Sequence, residues 1–205
     1  MKKTKVLITG GKGDIAQAVK RELETEGCYE VFAPGRDVLD VTSVDSIEKV
    51  IKQFVPDVLV NGAGYVVPQT IKNADLESIK RHVDINLTGT FLCTAIALKE
   101  NPRLDIVNIA SAAATTVHST WSEYCATKAG VVMATRCWAE DGLYAISVSP
   151  GRTKSKMRES LFPDEDQTTL MLPEEFAKVV VKAIKKGFPN GSNIIVHKND
   201  YKNYL

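Results

Sequence analysis

The sequence predicts an α/β protein with one doubly wound domain, in which helices cover both faces of a parallel sheet. Short β-branched segments alternate with amphipathic helical patterns along the whole chain, as expected when helical crossovers join parallel strands. Glycines and prolines fall between these segments, and neither a repeat nor a low-complexity linker divides the chain. We therefore expect a single domain over residues 1–205.

Strands and helices are predicted from the spacing of the apolar residues. Six short runs indicate strands at residues 5–9, 30–33, 57–61, 105–109, 145–149 and 194–197. Apolar residues recur every three or four positions in helices at residues 15–26, 44–54, 76–99, 122–140 and 174–186. Only residues 34–39 separate the second strand from Asp40, whereas a helical crossover needs roughly 10–12 residues. The strand expected after this crossover is therefore short or missing.

Composition excludes several classes of partner. The 26 Lys and Arg residues nearly cancel the 25 Asp and Glu residues, so no overall field attracts nucleic acid or an anionic membrane. The longest mostly apolar stretch, residues 87–98, is shorter than the roughly 20 residues of a membrane span. The four cysteines have no C-x-x-C spacing and the histidines no ligand spacing. We expect reduced thiols, a cytoplasmic protein and no metal site.

A glycine-rich turn follows the first strand and opens the first helix. It reads Thr9-Gly10-Gly11-Lys12-Gly13-Asp14-Ile15-Ala16. Glycines let the backbone approach a pyrophosphate, and the positive end of the helix dipole faces the anion. Such turns often bind nothing, but the position between the first strand and the first helix favours a dinucleotide.

The residues that follow the second strand help to distinguish NAD from NADP. Folds that bind NAD usually place a carboxylate there, for the 2′-hydroxyl of the ribose. Here Arg36 follows the strand, and Lys12 lies in the glycine turn. Two cations suit a 2′-phosphate, so the sequence favours NADP, with NAD possible. Alternatively, both cations are solvated loop charges, and Asp37 neutralises Arg36.

Tyr124 and Lys128 lie four residues apart on a predicted helix and therefore share a face. A nearby lysine cation favours the phenolate and can make a tyrosine an acid or base near neutral pH. Alone, this spacing is usually an exposed pair. Ser111 adds weight to it, because it follows the strand at residues 105–109, at the sheet edge where α/β folds bind ligands.

Taken together, these elements resemble the short-chain dehydrogenase/reductase family, with its Rossmann-type fold, over nearly the whole chain. The interval between Ser111 and Tyr124, 124 − 111 = 13 residues, is typical of that family. The similar elements, in the family's order, are the glycine turn, Asp40-Val41, Asn61-Gly62-Ala63-Gly64, Asn86, Ser111, Tyr124-x-x-x-Lys128, and Ser149-Pro150-Gly151 followed by Ser155.

The resemblance implies a role for each matched residue. Tyr124 would exchange a proton with the substrate oxygen, and Ser111 would orient that oxygen. Lys128 would hold the nicotinamide ribose and lower the pKa of Tyr124, and Asn86 would hold a water of a proton relay. Asn86 could instead bond only helix backbone. The implied cofactor-binding residues are Thr9, Gly10, Gly11, Lys12, Gly13, Asp14, Ile15, Arg36, Asp40, Val41, Asn61, Gly62, Ala63, Lys128, Pro150, Gly151 and Ser155.

The chain departs from the commonest family pattern at several positions. Asp14 and Ala16 stand where glycine is usual, Gly62 replaces a second asparagine, and the helix after the second strand is missing. These departures leave two alternatives: an enzyme like the nucleotide-sugar epimerases and dehydratases, or a catalytically idle dinucleotide sensor on the same fold. A short substrate lid is expected at residues 152–172. The resemblance also implies a homodimer or homotetramer.

The start of this lid indicates the substrate. Residues 152–158 carry four cations, and residues 150–158 resemble a pattern of reductases that act on pentulose phosphates. Arg152 and Arg158 could bind a phosphate bidentately. We expect a small carbonyl substrate with a phosphate or carboxylate; the alternatives are a solvated loop or contacts to the cofactor's phosphates. We assign Trp121, Trp138 and the histidines to packing or subunit contacts.

Overall fold

A computed structural model describes residues 2–205 and contains a six-stranded parallel sheet between two layers of helices. The strands lie in the order β2-β1-β3-β4-β5-β6. Their bounds are β1 Thr4–Ile8, β2 Tyr29–Phe32, β3 Val58–Asn61, β4 Asp105–Ile109, β5 Ala145–Pro150 and β6 Asn193–Val196. The predicted doubly wound α/β fold is confirmed.

Alternate side chains of each strand enter different cores, because successive residues of a strand point to opposite faces of a sheet. Val6 and Ile8 pack on one side with the first and last long helices, whereas Leu7 packs on the other side. The helices are α1 Asp14–Thr25, α2 Val44–Phe54, α3 Leu76–His82, α4 Gly89–Glu100, α5 Ser122–Glu140, α6 Lys156–Leu161 and α7 Pro173–Ile184. Both faces of the sheet are therefore covered, which explains the near-continuous apolar runs in the sequence.

The shortened connection after β2 is confirmed. Between Phe32 and Val44, all within the described part of the chain, the backbone forms neither strand nor helix. As a result β2 is the outer strand of the sheet beside β1, and α2 crosses back directly to β3. Strand order reverses between β1 and β3, and open α/β sheets bind ligands at that point.

The prediction of one uninterrupted helix over residues 76–99 is wrong in one respect. The helical path is continuous, but Val83–Thr88 between α3 and α4 is wound as a π-helix. Such widened turns are uncommon and frequently occur at functional sites. Apolar periodicity does not reveal this change in winding, because it shifts hydrogen bonds by only one residue. Within residues 2–205, no helix is both long and apolar enough to cross a membrane.

Candidate active site

Three cavities form a trough along the carboxyl ends of the central strands. The outer cavity, about 180 Å³, lies beside Asp40 and Val41, and the central cavity, about 330 Å³, runs from Gly10 to Lys128. The lid cavity, about 620 Å³, lies between Ser111 and residues 152–162. A small cavity of about 130 Å³ borders both Tyr124 and Ser111 and joins the central cavity to the lid cavity.

The glycine turn is shaped by close backbone contacts. Gly10 has a φ of +69°, and a Cβ atom there would lie 2.8 Å from the Ala63 Cα. A Cβ atom on Gly11 would lie 2.0 Å from the Ala33 carbonyl oxygen. Both positions therefore require glycine, the first also because of its left-handed backbone. These contacts bring the turn against the segments that follow β3 and β2 and leave α1 to begin at the edge of the central cavity.

Several predicted residues border the cavities and others support them. The central cavity is lined by Gly10, Lys12, Gly13, Asp14, Ile15, Gly62, Lys128, Pro150 and Ser155, and the outer cavity by Gly10, Arg36, Asp40, Val41 and Ala63. Thr9 is buried, and its hydroxyl accepts hydrogen bonds from the backbone N–H groups of Gly62 and Ala63 at 3.0 and 3.1 Å. Thr9 thus holds the loop after β3 against the glycine turn.

Asn61 lies inside the sheet. Its Nδ2 donates to Thr94 Oγ1 at 3.1 Å and to Asn108 Oδ1 at 2.9 Å. The side chain therefore ties β3 to β4 and α4, whereas the expectation from the family was that it lines the cofactor groove. Asn108 continues the buried polar chain by donating to Thr135 Oγ1 on α5 at 2.8 Å. This network fixes the strand ends on which the candidate site is built.

Both cations that suggested a 2′-phosphate have carboxylate partners. Arg36 Nε lies 3.1 Å from Asp40 Oδ2, and Lys12 Nζ lies 2.8 Å from Asp37 Oδ1. Asp37 therefore neutralises Lys12, and Arg36 pairs with Asp40. Burial opposes ionisation of Asp40, but the hydrogen bonds from Thr42 and Arg36 outweigh it and lower the pKa of this carboxyl.

Arg81 is a residue of the outer cavity that the sequence did not indicate. It lies on α3, and its guanidinium carbon is 4.6 Å from the centre of the Tyr65 ring. Arg81 and Arg36 border the same cavity. In the sequence, α3 has the charge pattern of an exposed helix, and no local signal shows that it folds over the strand ends.

The predicted chemical centre lies where β4 and α5 meet. Lys128 is 5% exposed, and its Nζ donates to the Ile109 carbonyl oxygen at 2.8 Å. The same Nζ is 5.8 Å from the centre of the Tyr124 ring. Tyr124 and Ser111, which follows β4, border the same small cavity. The fold thus brings together Ser111, Tyr124 and Lys128, as the sequence predicted.

Burial dominates the titration of both groups on α5. It raises the pKa of Tyr124, and the nearby Ser111 hydroxyl opposes this shift only in part. It lowers the pKa of Lys128 to about 8. Burial outweighs the lowering of the Tyr124 pKa that the resemblance implies for Lys128. Tyr124 is therefore a protonated acid at neutral pH.

Asn86 lies in the π-helical stretch and is completely buried. Its Oδ1 accepts from the Tyr65 N–H at 2.7 Å, and its Nδ2 donates to the Tyr65 carbonyl oxygen at 2.9 Å and to Thr127 Oγ1 at 3.2 Å. The amide thus pins the loop after β3 to α5, one residue from Lys128. Both Nδ2 donors are therefore used by protein groups and are not free to hold a water of a proton relay.

The lid cavity has an aromatic wall that no pattern in the sequence indicates. The Trp121 ring lies 5.4 Å from that of Tyr124 and 6.0 Å from that of Phe162. His118 and His197 border the same cavity. The assignment of Trp121 and these histidines to packing is therefore incomplete, because nothing in the local sequence shows which side chains meet under the lid. Trp138 does pack, against Phe91 on α4.

The lid itself is folded more regularly than expected. Its two ends pair through a bridge between Thr153 and Met171, and α6 lies between them. Ser155 caps α6 by accepting the Arg158 N–H at 3.1 Å. Asp14, one of the departures from the family pattern, accepts the Lys156 N–H at 2.7 Å. The glycine turn and the lid are therefore in direct contact.

Comparison with known proteins indicates the family of the chain. The chain matches a family model described as short chain dehydrogenase over residues 3–166. It is 26% identical to benzil reductase ((S)-benzoin forming) of Bacillus subtilis, with 90% of this chain and 95% of that protein covered. It is 30% identical to a 3-oxoacyl-[acyl-carrier-protein] reductase of Aquifex aeolicus, with 86% and 78% covered.

A solved structure shows the same fold. A single-residue variant of actinorhodin polyketide ketoreductase with NADPH superposes with a TM-score of 0.88 at 24% identity, and 98% of each chain is covered. The family model spans most of the sheet, the glycine turn and Tyr124 and Lys128. The chain belongs to the short-chain dehydrogenase/reductase family of oxidoreductases, as its motifs predicted.

Proposed function

We propose that this protein is an NADP(H)-dependent reductase of a small carbonyl compound. The observation that carries the proposal is the position of Tyr124 and Ser111, which border the junction between the central cavity and the lid cavity. A nicotinamide in the central cavity and a carbonyl group under the lid would meet at these two hydroxyls. Two relatives matched over most of this chain are named as reductases, which supports this choice over a redox-silent sensor.

The residues of the central cavity fit a dinucleotide. Gly10 and Gly13 line the cavity with the backbone of the turn, and α1 begins beside it, as a pyrophosphate requires. When bound, the cofactor supplies the hydride. The chain binds and orients it: Lys128 would hold the nicotinamide ribose, and the Pro150-Gly151 turn would cover the ring. Asp40 and Val41 would border the adenine.

The protein's own chemical step is a proton transfer. Tyr124 gives its phenolic proton to the substrate oxygen as the carbonyl carbon is reduced, and Ser111 holds that oxygen by a hydrogen bond. The raised pKa of Tyr124 keeps the proton in place until the transfer. The ammonium group of Lys128 then stabilises the phenolate that remains. The segment around Asn86 would relay a new proton to Tyr124.

Preference for NADP(H) gives a testable consequence. Arg36 and Arg81 border the outer cavity, and NADPH is bound by the polyketide ketoreductase with the same fold. We expect Arg36→Ala to lower kcat/KM for NADPH about tenfold or more, with little change for NADH, because a charge-assisted contact to a phosphate is worth roughly 1.5–3 kcal/mol. Lys12→Ala should have the smaller effect, since Lys12 borders the central cavity. Equal kcat/KM for both cofactors in the wild type would contradict the preference.

The anionic substrate suggested by residues 150–158 remains part of the proposal, with a sugar phosphate as the first candidate. It is supported by the position of Arg152 and Arg158, which border the lid cavity together with Ser111. An oxyanion bound there would place a carbonyl group several bonds away near Tyr124. The cellular direction would be reduction, which follows from the preference for NADP(H).

The test of the anionic substrate is a panel of phosphorylated, carboxylated and neutral carbonyl compounds at two ionic strengths. For an anionic compound we expect KM to rise with salt, and to rise about tenfold in Arg152→Ala. Lys154→Ala is the matched control, because it removes the same charge from an exposed position of the same loop. Full activity on neutral ketones, insensitive to salt and to Arg152→Ala, would exclude an anionic substrate.

Assembly follows from the resemblance, and location follows from the thiols that we expect to be reduced. We propose a cytoplasmic homodimer or homotetramer. Phe91 on α4 and Met133 on α5 leave large apolar surface exposed on the helices that pack beside each other, which supports a contact between subunits there. Sedimentation equilibrium at micromolar concentration would measure the subunit number.

A further inference from the structure

One carboxylate occupies both arginines that the proposed function assigns to the substrate. Arg158 Nε and Nη2 donate to the two oxygens of Glu165 at 2.6 and 2.7 Å, and Arg152 Nη1 donates to Glu165 Oε1 at 3.2 Å. The side chains of Glu165 and Arg158 are 14% and 18% exposed, whereas Arg152 is 59% exposed. Glu165 was not among the residues indicated by the sequence.

The pairing reproduces the geometry of anion recognition. Two parallel N–H···O bonds from one guanidinium to one carboxylate are the arrangement by which arginine binds carboxylates and phosphates in ligands. Arg158 borders both the lid cavity and the small cavity beside Tyr124. An oxyanion under the lid would therefore meet a guanidinium pair that already holds an internal carboxylate.

The lid does not depend on this pairing to stay closed at its base. The Lys154 N–H donates to the Met171 carbonyl oxygen at 2.9 Å, and the Met171 N–H donates to the Arg152 carbonyl oxygen at 3.0 Å. These backbone bonds hold the two ends of the lid together. Glu165 follows α6 and takes no part in these backbone bonds, so its carboxylate can leave the arginines while the base remains paired.

We propose that Glu165 is a specificity-determining residue that competes with the anionic group of the substrate for Arg152 and Arg158. A substrate then binds only if its oxyanion binds the two guanidinium groups at least as well as the Glu165 carboxylate does, as a phosphate dianion can. Neutral carbonyl compounds leave the contacts of Glu165 with Arg152 and Arg158 intact. The inference rests on the proposed anionic substrate and deepens it, since it names the residue that decides which anionic groups bind.

The test measures binding of inorganic phosphate to the protein saturated with NADP⁺, so that the glycine turn is already filled. Isothermal titration calorimetry gives the affinity, and the fluorescence of Trp121 in the lid cavity reports the site. We expect Glu165→Gln to bind phosphate about tenfold more tightly than the wild type, because the internal competitor has lost its charge. Glu159→Gln is the matched control: it removes the same charge from an exposed position on α6 and should change the affinity by less than about threefold.

A second variant pair separates competition from general electrostatics. Adding Arg158→Lys to Glu165→Gln keeps the charge but removes the two-pronged donor, and the gain in phosphate affinity should disappear. Should Glu165→Gln fail to fold, Glu165→Asp draws the carboxylate back by one methylene group and should show a smaller gain of the same sign. Phosphate affinity equal to or weaker than that of the wild type in the folded variant would overturn the proposal.

The outcome also separates this inference from the proposed function. Tighter phosphate binding in Glu165→Gln, without turnover of any phosphorylated carbonyl compound, would support the competition and reject the anionic substrate. NADPH-dependent turnover of a phosphorylated compound, with no gain in affinity in Glu165→Gln, would support the function and reject the competition.

Discussion

Replacing Tyr124 by phenylalanine should abolish carbonyl reduction and leave dinucleotide affinity nearly unchanged. The substitution deletes one hydroxyl, the proton donor, and keeps the ring that packs against Trp121. Positioned general acids contribute about 10²- to 10⁴-fold to rate, so kcat should fall by at least about 100-fold. Single-turnover kinetics would measure the loss, and quenching of protein fluorescence by NADPH would give the dissociation constant.

Tyr144→Phe is the control for loss of a tyrosine hydroxyl. Tyr144 donates to the Ala183 carbonyl oxygen at 2.6 Å, near the start of β5 and away from the strand ends that carry the site. Its loss should lower the free energy of unfolding by about 1 kcal/mol without changing kcat. Wild-type kcat in Tyr124→Phe would show that another group donates the proton and would refute the mechanism.

Replacing Lys128 by methionine should stabilise the fold while impairing function. Burial lowers the pKa of Lys128 to about 8 from an ordinary value of 10.5, so the charged form is destabilised in the folded protein. A difference of 10.5 − 8 = 2.5 corresponds to about 3 kcal/mol. Methionine removes this cost but leaves the Ile109 carbonyl oxygen without its donor, which costs about 1 kcal/mol. We expect a net gain of about 2 kcal/mol at pH 7.

The folded and ordinary pKa values of Lys128 determine how the free energy of unfolding changes with pH. Below pH 8, Lys128 is charged in both states and the full burial cost is present. Between pH 8 and 10.5 the unfolded chain binds more protons than the folded one, so the wild type gains stability as pH rises. The stability advantage of Lys128→Met over the wild type should therefore be smaller at about pH 10 than at pH 7 when both proteins are unfolded in urea. Lys178→Met, at an exposed position of α7, should show no such change. A destabilised Lys128→Met protein at pH 7 would contradict the argument.

Replacing Lys128 by methionine should lower enzymatic activity although it raises stability. Lys128→Met should weaken cofactor binding and lower kcat together, since the ammonium group serves both the ribose and the Tyr124 phenolate. In the wild type, the rate of reduction should fall as pH rises through about 8, where Lys128 loses its proton. Burying Lys128 therefore lowers stability but keeps a positive charge beside Tyr124, where the proposed reaction uses it.

Much of the architecture could be predicted because its causes are local. The apolar spacing of α2 and α5 determined their bounds, and the short segment after β2 was enough to predict that a crossover is missing. The spacing of Tyr124 and Lys128 placed both on one helical face, and Ser111 followed from the end of an apolar strand. Each of these inferences needs only the geometry of one element and its neighbours along the chain.

Only the tertiary structure decided which charges are paired and which side chains meet across the trough. Asp40 holds Arg36, Arg81 reaches the outer cavity from α3, and Glu165 occupies Arg152 and Arg158. The sequence by itself determined the fold, the glycine turn and the order of the catalytic groups, because these depend on backbone periodicity and on fixed spacings. The partners of a flexible charged side chain depend instead on how segments distant in sequence pack, and no local pattern encodes that packing.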